Sequence, residues 1–307
     1  MAFQTTLLTM ALFFILLCVG FAAGKLHVIR KEFMGPFAQL ITKIFLPVMI
    51  FYFTVTTVSI DMLVANLVLI PIAIVVYAVL ALVSFAIAKI LRLPHDKDRV
   101  FQFAFIFGNT GFVGFPLLPA VFPGIGMVFM CLFNVVDQLI FWTYGIWLST
   151  ARERETAKFN AKVLLSPNIV AIVLALIFVV AGIPLPGIID TALATLSKGT
   201  SPLCMLYLGA TICFTPIGTI VKRPDLYIEV IVKMIALPIS AGLLAGFLGA
   251  SPEVAGCIAL FIALPVMTVV PMIATQNGDE GDYATGLAVV TFVACVVTIP
   301  LVAFVVL

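Results

Sequence analysis

Runs of roughly 20 apolar residues, the length that crosses a bilayer, follow one another along the whole chain. Short gaps between them hold nearly all of the charge. Of the 307 residues, 64% are hydrophobic and only 10% charged, whereas a soluble domain carries about 25% charged residues. No water-soluble core absorbs that excess, so hydrocarbon is the natural solvent for this sequence. The first basic residue, Lys25, follows the first apolar run and does not precede it. That order predicts a membrane span, not a cleavable leader.

Turn residues and charges divide the sequence into ten expected spans: 4–24, 33–57, 62–91, 100–121, 124–150, 163–182, 187–215, 224–248, 253–275 and 282–306. Thirteen of the sixteen basic residues fall in alternate connections: Lys25, Arg30 and Lys31; Lys89, Arg92, Lys97 and Arg99; Arg152, Arg154, Lys158 and Lys162; Lys222 and Arg223. The connections between those loops, and both termini, carry none. Basic loops stay cytoplasmic. The expected orientation therefore has both termini outside and the 151–162 loop in the cytoplasm, in a plasma (inner) membrane. The expected fold is an all-α polytopic membrane protein without a soluble domain.

An internal repeat is visible. Thr42-Lys43 precedes Pro47 as Ser197-Lys198 precedes Pro202, at an offset of 155 residues. Pro116 and Pro271 stand at the same offset. A constant offset between distant segments indicates duplication. With five spans per half, an odd number, the second half is inverted relative to the first, as in many secondary transporters. The expected organisation is a five-helix repeat over 1–150, a cytoplasmic linker over 151–162 and an inverted five-helix repeat over 163–307.

The fourth and ninth segments hold the candidate site. Gly108-Asn109-Thr110-Gly111-Phe112-Val113-Gly114-Phe115-Pro116 is a poor continuous helix. In the ninth segment, Pro265 and Pro271 flank a stretch containing Thr268. Broken backbone at membrane depth is tolerated only inside protein or along a cavity, and paired interruptions point to a transporter's binding site. The helix ends that result offer free N–H groups to an anion such as a carboxylate. Alternatively, the glycines and prolines serve close packing or kinks alone. Asn109 can donate to a carboxylate and accept from a substrate N–H or O–H; it can equally cap a half-helix.

Apart from Lys89, which lies at the end of its span, Lys43, Lys198 and Lys233 are the basic residues inside expected spans. Lys43 and Lys198 either attract an anionic substrate or carry their charge to the membrane edge on long stems. Lys233 is expected to be structural or edge-seeking. Asp137, followed by Gln138, is the one carboxylate expected at mid-membrane, a candidate for ion coupling or for a fixed ion pair with a lysine. The acidic cluster Asp279, Glu280 and Asp282 reads as a solvated turn. Gly20-x-x-x-Gly24 and Gly242-x-x-x-Gly246 are small-residue packing motifs.

Other chemistry is poorly supported. The six cysteines lie in apolar runs without metal-ligand spacing, and both histidines, His27 and His95, lie in loops. No ATP-binding glycine loop occurs. The expectation is thus no catalytic residue, no metal, no cofactor and no nucleic-acid partner.

The stretch from Phe107 to Leu118, with Lys43-Ile44-Phe45-Leu46-Pro47, Ala263-Leu264-Pro265, Gln276 and Ile299-Pro300-Leu301, resembles the auxin efflux carrier family, which includes bacterial malate and malonate permeases. The resemblance covers essentially the whole chain. It implies a ten-helix fold of the sodium/bile-acid symporter type whose fourth and ninth helices cross at prolines, here Pro116 and Pro271. It also implies a scaffold of the first, second, sixth and seventh helices, a moving bundle of the others, transport of organic anions and frequent homodimers. Asn109 matches the family's substrate-contacting asparagine and Lys43 a lysine near the site. The chain departs from the plant carriers in lacking their long cytoplasmic loop, and Lys198 stands where no basic residue is expected. The implied function is secondary transport of small organic anions, with protons or sodium as possible coupling ions. A cation/proton antiporter using Asp137 is the alternative.

Overall fold

The computed structural model describes residues 2–94, 96–151, 167–215, 223–277 and 280–307. Almost all of the 151–162 linker, together with Lys222 and Asp279, lies outside the described residues. Among the described residues every regular element is helical. The helices are α1 (Ala2–Lys25), α2 (Lys31–Thr57), α3 (Leu69–Ile90), α4 (Lys97–Ile106), α5 (Thr110–Val121), α6 (Ile125–Ser149), α7 (Pro167–Ala181), α8 (Gly187–Phe214), α9 (Pro224–Phe247), α10 (Pro252–Ile262), α11 (Val269–Asn277) and α12 (Gly281–Val306). Six of them, α1, α2, α3, α6, α9 and α12, are long and apolar enough to cross a membrane.

Boundaries follow local chemistry. The expected 62–91 segment is divided: a short helix, Ile60–Ala65, precedes α3. Ser59 caps it by accepting from the Met62 backbone N–H at 3.2 Å, which satisfies one of the donors a helix start leaves open. Among the described residues four helices widen by one turn of π-helix, at Ile41–Phe45, Thr110–Gly114, Phe141–Gly145 and Val232–Ala236. Three of these turns, all but Phe141–Gly145, begin at the same spacing before a proline: Pro47, Pro116 and Pro238. A proline lacks the N–H and crowds the carbonyl one turn back, and a local π widening relieves that conflict.

The chain forms two compact units, each drawing on both halves of the sequence. One comprises Met1–Leu67, Gly111–Cys131 and Leu165–Thr215. Within it, α1 packs on α8 and α7 on α2. Gly20 and Gly209 set the closeness of the first pair: a Cβ on Gly20 would stand 2.2 Å from the Leu206 carbonyl oxygen, and one on Gly209 would stand 2.0 Å from that of Leu17. Phe51 meets Phe178 edge to face at 5.2 Å. Thr200 donates its hydroxyl to the Phe45 carbonyl at 3.1 Å, two positions before Pro47 in the widened part of α2.

The other unit comprises Val68–Thr110, Leu132–Leu164 and Pro216–Leu307. Its centre is made by α4 and α10. From Arg99 to Ile106 and from Ala255 to Ile262 every residue is buried. A helix buried on all sides belongs to the core of a membrane bundle, not to its lipid face. Both of these core helices stop short, and their ends build the candidate site.

Candidate functional site

Between α4 and α5 the backbone is extended at Phe107–Asn109, and between α10 and α11 it leaves the helix from Ala263 to Thr268. The two breaks are joined. The Asn109 N–H donates to the Pro265 carbonyl at 2.7 Å and the Met267 N–H donates to the Phe107 carbonyl at 3.1 Å. Gly108 and Val266 face each other between these bonds as an antiparallel bridge. Two helices thus give up their own ladders at one level and satisfy each other, which is how broken backbone persists away from water. Gly108 eases the approach, since a Cβ there would stand 3.0 Å from the Leu264 Cβ, a tight contact.

A second layer fixes the bridge. Thr291 of α12 accepts from the Val266 N–H at 3.1 Å and donates to the Leu287 carbonyl at 2.8 Å. Phe107 is wedged behind the break by Phe141 (centroids 5.0 Å apart) and Phe103 (5.6 Å). Gly145 makes room for both rings, because a Cβ there would lie 2.9 Å from Phe107 and 3.0 Å from Phe103. We expect Gly145→Val to push Phe107 off the bridge and to cost about 1–3 kcal/mol in overpacking. Thermal unfolding of the purified variant checks this; an unchanged midpoint would show that the rings yield freely.

The polar character of the break is mixed. The C-terminal ends of α4 and α10 present carbonyls, and the N-terminal end of α11 presents N–H groups, so neighbouring helix ends favour cations and anions respectively. Asn109 is 1% exposed. Thr110 and Pro265 are buried, and Thr268 is partly exposed at the start of α11. These four share one unit. Of the other expected site residues, Pro271 lies in the same unit, whereas Gly111, Pro116, Lys43 and Lys198 belong to the other. Both lysines are exposed, and Lys43 donates to the Gln39 side-chain oxygen at 3.1 Å.

The two breaks fall within the stretches expected to be broken, ahead of Pro116 and Pro271. Pro116 lies inside α5, directly after its π turn, whereas Pro271 lies in the first turn of α11, where a missing N–H costs least. Lys233, expected to be structural or edge-seeking, is 1% exposed and donates to the Ala104 carbonyl at 2.9 Å, near the C-terminal end of α4. Asp137 is enclosed at 0% exposure, and Glu229 of α9 is enclosed to the same degree.

Asp137 has neutral partners. It accepts from the Tyr77 hydroxyl and, at 3.1 Å, from the Gln138 amide, which in turn accepts from the Trp142 indole N–H at 3.2 Å. The Tyr77 ring lies 6.0 Å from Phe107 and 6.2 Å from Phe261, residues that adjoin the two breaks. Asp137 therefore reaches the bridge through one aromatic ring. Tyr77 does not stand out in the sequence, where it reads as ordinary apolar filling; Phe107 is visible there only as the first residue of the stretch that resembles the auxin efflux carriers.

Comparison with known proteins matches residues 5–303 to a family described as membrane transport protein. An uncharacterized transporter of Methanothermobacter thermautotrophicus is 26% identical over 202 residues, 65% of this chain and 66% of its own length. Another, from Methanocaldococcus jannaschii, is 26% identical over 206 residues, 64% of this chain and 66% of its own length. The aligned part thus spans just under two thirds of each relative. The match over nearly the whole chain and the six apolar helices make this an integral membrane protein, and it belongs to the membrane transport protein family, that of the auxin efflux carriers.

Proposed function

We propose that the protein is a secondary transporter that moves small organic anions, carboxylates foremost, across the plasma membrane by alternating access. The observation that carries the reading is the antiparallel join of the two breaks beside buried Asn109. Interrupted helices that satisfy each other's backbone leave helix ends free to hold an anion, the arrangement on which carriers of this kind depend. In this reading the chain spans the membrane ten times as two inverted repeats, 1–150 and 163–307, joined by the 151–162 cytoplasmic linker, with both termini outside. Asn109 and Thr110 contact the substrate together with Pro265 and Thr268. Gly111, Pro116 and Pro271 shape the following helix starts, and Lys43 and Lys198 draw anions to the protein. The working form is a homodimer, no catalytic step is involved, and protons or sodium supply the coupling.

The test is uptake of radiolabelled lactate, malonate, malate and an indole acid into proteoliposomes of purified protein. We expect saturable uptake of at least one acid. Asn109→Ala should lower it about 10–100-fold, the range for losing a hydrogen bond to a charged ligand. Undiminished uptake in the variant would remove Asn109 from the site. A second reading, cation/proton exchange on the same fold, is favoured by the enclosure of Asp137 with Tyr77 and Gln138. It predicts exchange driven by sodium or pH without any carboxylate, abolished in Asp137→Asn.

A further inference from the structure

The two buried carboxylates differ in a way that bears on coupling. Asp137 is supplied with hydrogen bonds from two side chains. Glu229 is 0% exposed, and among the described residues neither of its oxygens accepts a hydrogen bond. Its ionic partner is Lys233, one turn further along α9, at 3.9 Å. That is the outer limit of an ion pair, and the lysine's short bond, 2.9 Å, goes to the Ala104 carbonyl instead. A buried pair built for stability has its lone pairs filled, because unfilled ones cost more than the attraction returns. An enclosed carboxylate left open in this way suits a ligand that arrives and leaves.

The surroundings indicate which ligand. Asp225, Glu229 and Lys233 follow one another at i, i+4 and i+8, so they form a single line along one face of α9. Asp225 is partly exposed and pairs with Arg223 at 3.8 Å. From α12, Tyr283 faces both Asp225 and Glu229; its ring lies 4.7 Å from the Arg223 guanidinium. From α4, the group facing Lys233 is the Ala104 carbonyl. The line runs from a partly exposed acid to an enclosed one, and then to a lysine held on the helix that ends in the break. A cation as large as sodium needs several oxygen ligands, whereas a proton needs one.

We propose that Glu229 is an exchangeable proton site, reached past Asp225 and Tyr283, whose occupancy sets the net charge that Lys233 places at the end of α4 and hence the affinity of the break for an anion. This rests on the organic-anion reading above. With Glu229 ionised, the pair sums to zero. A proton from water forms one O–H bond on the carboxylate and leaves an uncompensated ammonium, net +1, at Lys233. The anion then binds more tightly, and by reciprocity the bound anion holds the proton more tightly by the same factor. Release to water on the opposite side restores the ion pair.

The test is uptake of radiolabelled malate, and of any other acid found to be carried, into proteoliposomes with and without an imposed inward proton gradient. We expect the gradient to accelerate wild-type uptake about tenfold, within the 5–150-fold span of such couplings, and to drive accumulation. Glu229→Gln should show the accelerated rate without a gradient and no accumulation with one. Glu229→Asp, which keeps the acid, should retain the gradient response, and Lys233→Met should lose it together with affinity. As a readout apart from transport, adding the carried acid to weakly buffered wild-type protein should draw protons from a pH indicator dye, and adding it to Glu229→Gln should not. Gradient-driven accumulation in Glu229→Gln overturns the proposal. So does saturable wild-type uptake that ignores the gradient, which leaves the transporter reading intact. No saturable uptake of any acid overturns both.

Discussion

Replacing Asp137 by Ala should unfold or severely loosen the unit that carries the bridge, whereas replacing it by Asn should not. The difference follows from donor and acceptor types. The Trp142 indole can only donate, so the oxygen of the Gln138 amide must face it and the amide's NH2 must face Asp137. Alanine at 137 leaves that NH2 and the Tyr77 hydroxyl enclosed without partners, at about 1–3 kcal/mol for each group. Asparagine can turn its oxygen to Gln138 and its own NH2 to Tyr77, whose hydroxyl accepts as readily as it donates. The expected result is a large fall in the thermal midpoint for Asp137→Ala and a small one for Asp137→Asn, measured on purified protein. Carboxylate uptake should survive in the asparagine variant, because the Tyr77 ring stays against Phe107 and Phe261. Loss of sodium- or pH-driven exchange in well-folded Asp137→Asn would instead favour the cation/proton reading.

The breaks were legible in the sequence because glycine and proline act locally. Gly108, Pro265 and their neighbours disfavour a helix in any surroundings, and both interruptions occur where these residues cluster. Their extent was not legible. Pro116 and Pro271 suggested breaks reaching to the prolines themselves, but the chain resumes its helix before each: the π turn at Thr110–Gly114 accommodates Pro116, and Pro271 falls in the first turn of α11. Nor could a local pattern place Gly108 opposite Val266, since that pairing depends on how two distant segments pack.

The polar network shows a similar division. Asp137 and Gln138 were identifiable because a carboxylate inside an apolar run is costly wherever it lies. Tyr77 was not, since a tyrosine there also suits a lipid-facing or interfacial place. Glu229 was passed over because it lies soon after the charged start of its segment, where acids are normally solvated. The signal that would have found it is the i, i+4 spacing to Lys233, which puts opposite charges on one face of the same helix. Some apolar segments were readable almost to the residue: the expected 4–24, 187–215 and 282–306 correspond to α1, α8 and α12. The expected 62–91 was not, because a single capping serine, Ser59, starts a separate short helix that hydropathy does not register.

Gly209→Leu should be the most damaging single substitution in the unit that contains α1 and α8. In a bilayer, apolar side chains gain little from leaving lipid for protein, so helix pairs depend on close backbone approach and the contacts it allows. Here the approach is reciprocal. Gly209 lies against Leu17 and Phe21 of α1, and Gly20 of α1 lies against Leu206 of α8. A Cβ at Gly209 would stand 2.0 Å from the Leu17 oxygen and 2.7 Å from the Phe21 nitrogen. Those are backbone atoms, which no rotamer change can withdraw, so the helices must separate along their length. Of the two glycine motifs visible in the sequence, Gly20 and Gly24 both face α8, whereas Gly242 meets Val306 and Ala259 and Gly246 meets nothing within 4 Å. Gly246→Ala is therefore the matched control, expected to be neutral or to stabilise by up to about 1 kcal/mol through helix propensity. Size-exclusion profiles and thermal unfolding in detergent would compare the two: aggregation or loss of the cooperative transition is expected for Gly209→Leu alone. A well-folded Gly209→Leu protein would show that α1 and α8 do not need backbone contact, and that the pair is held by its flanking side chains.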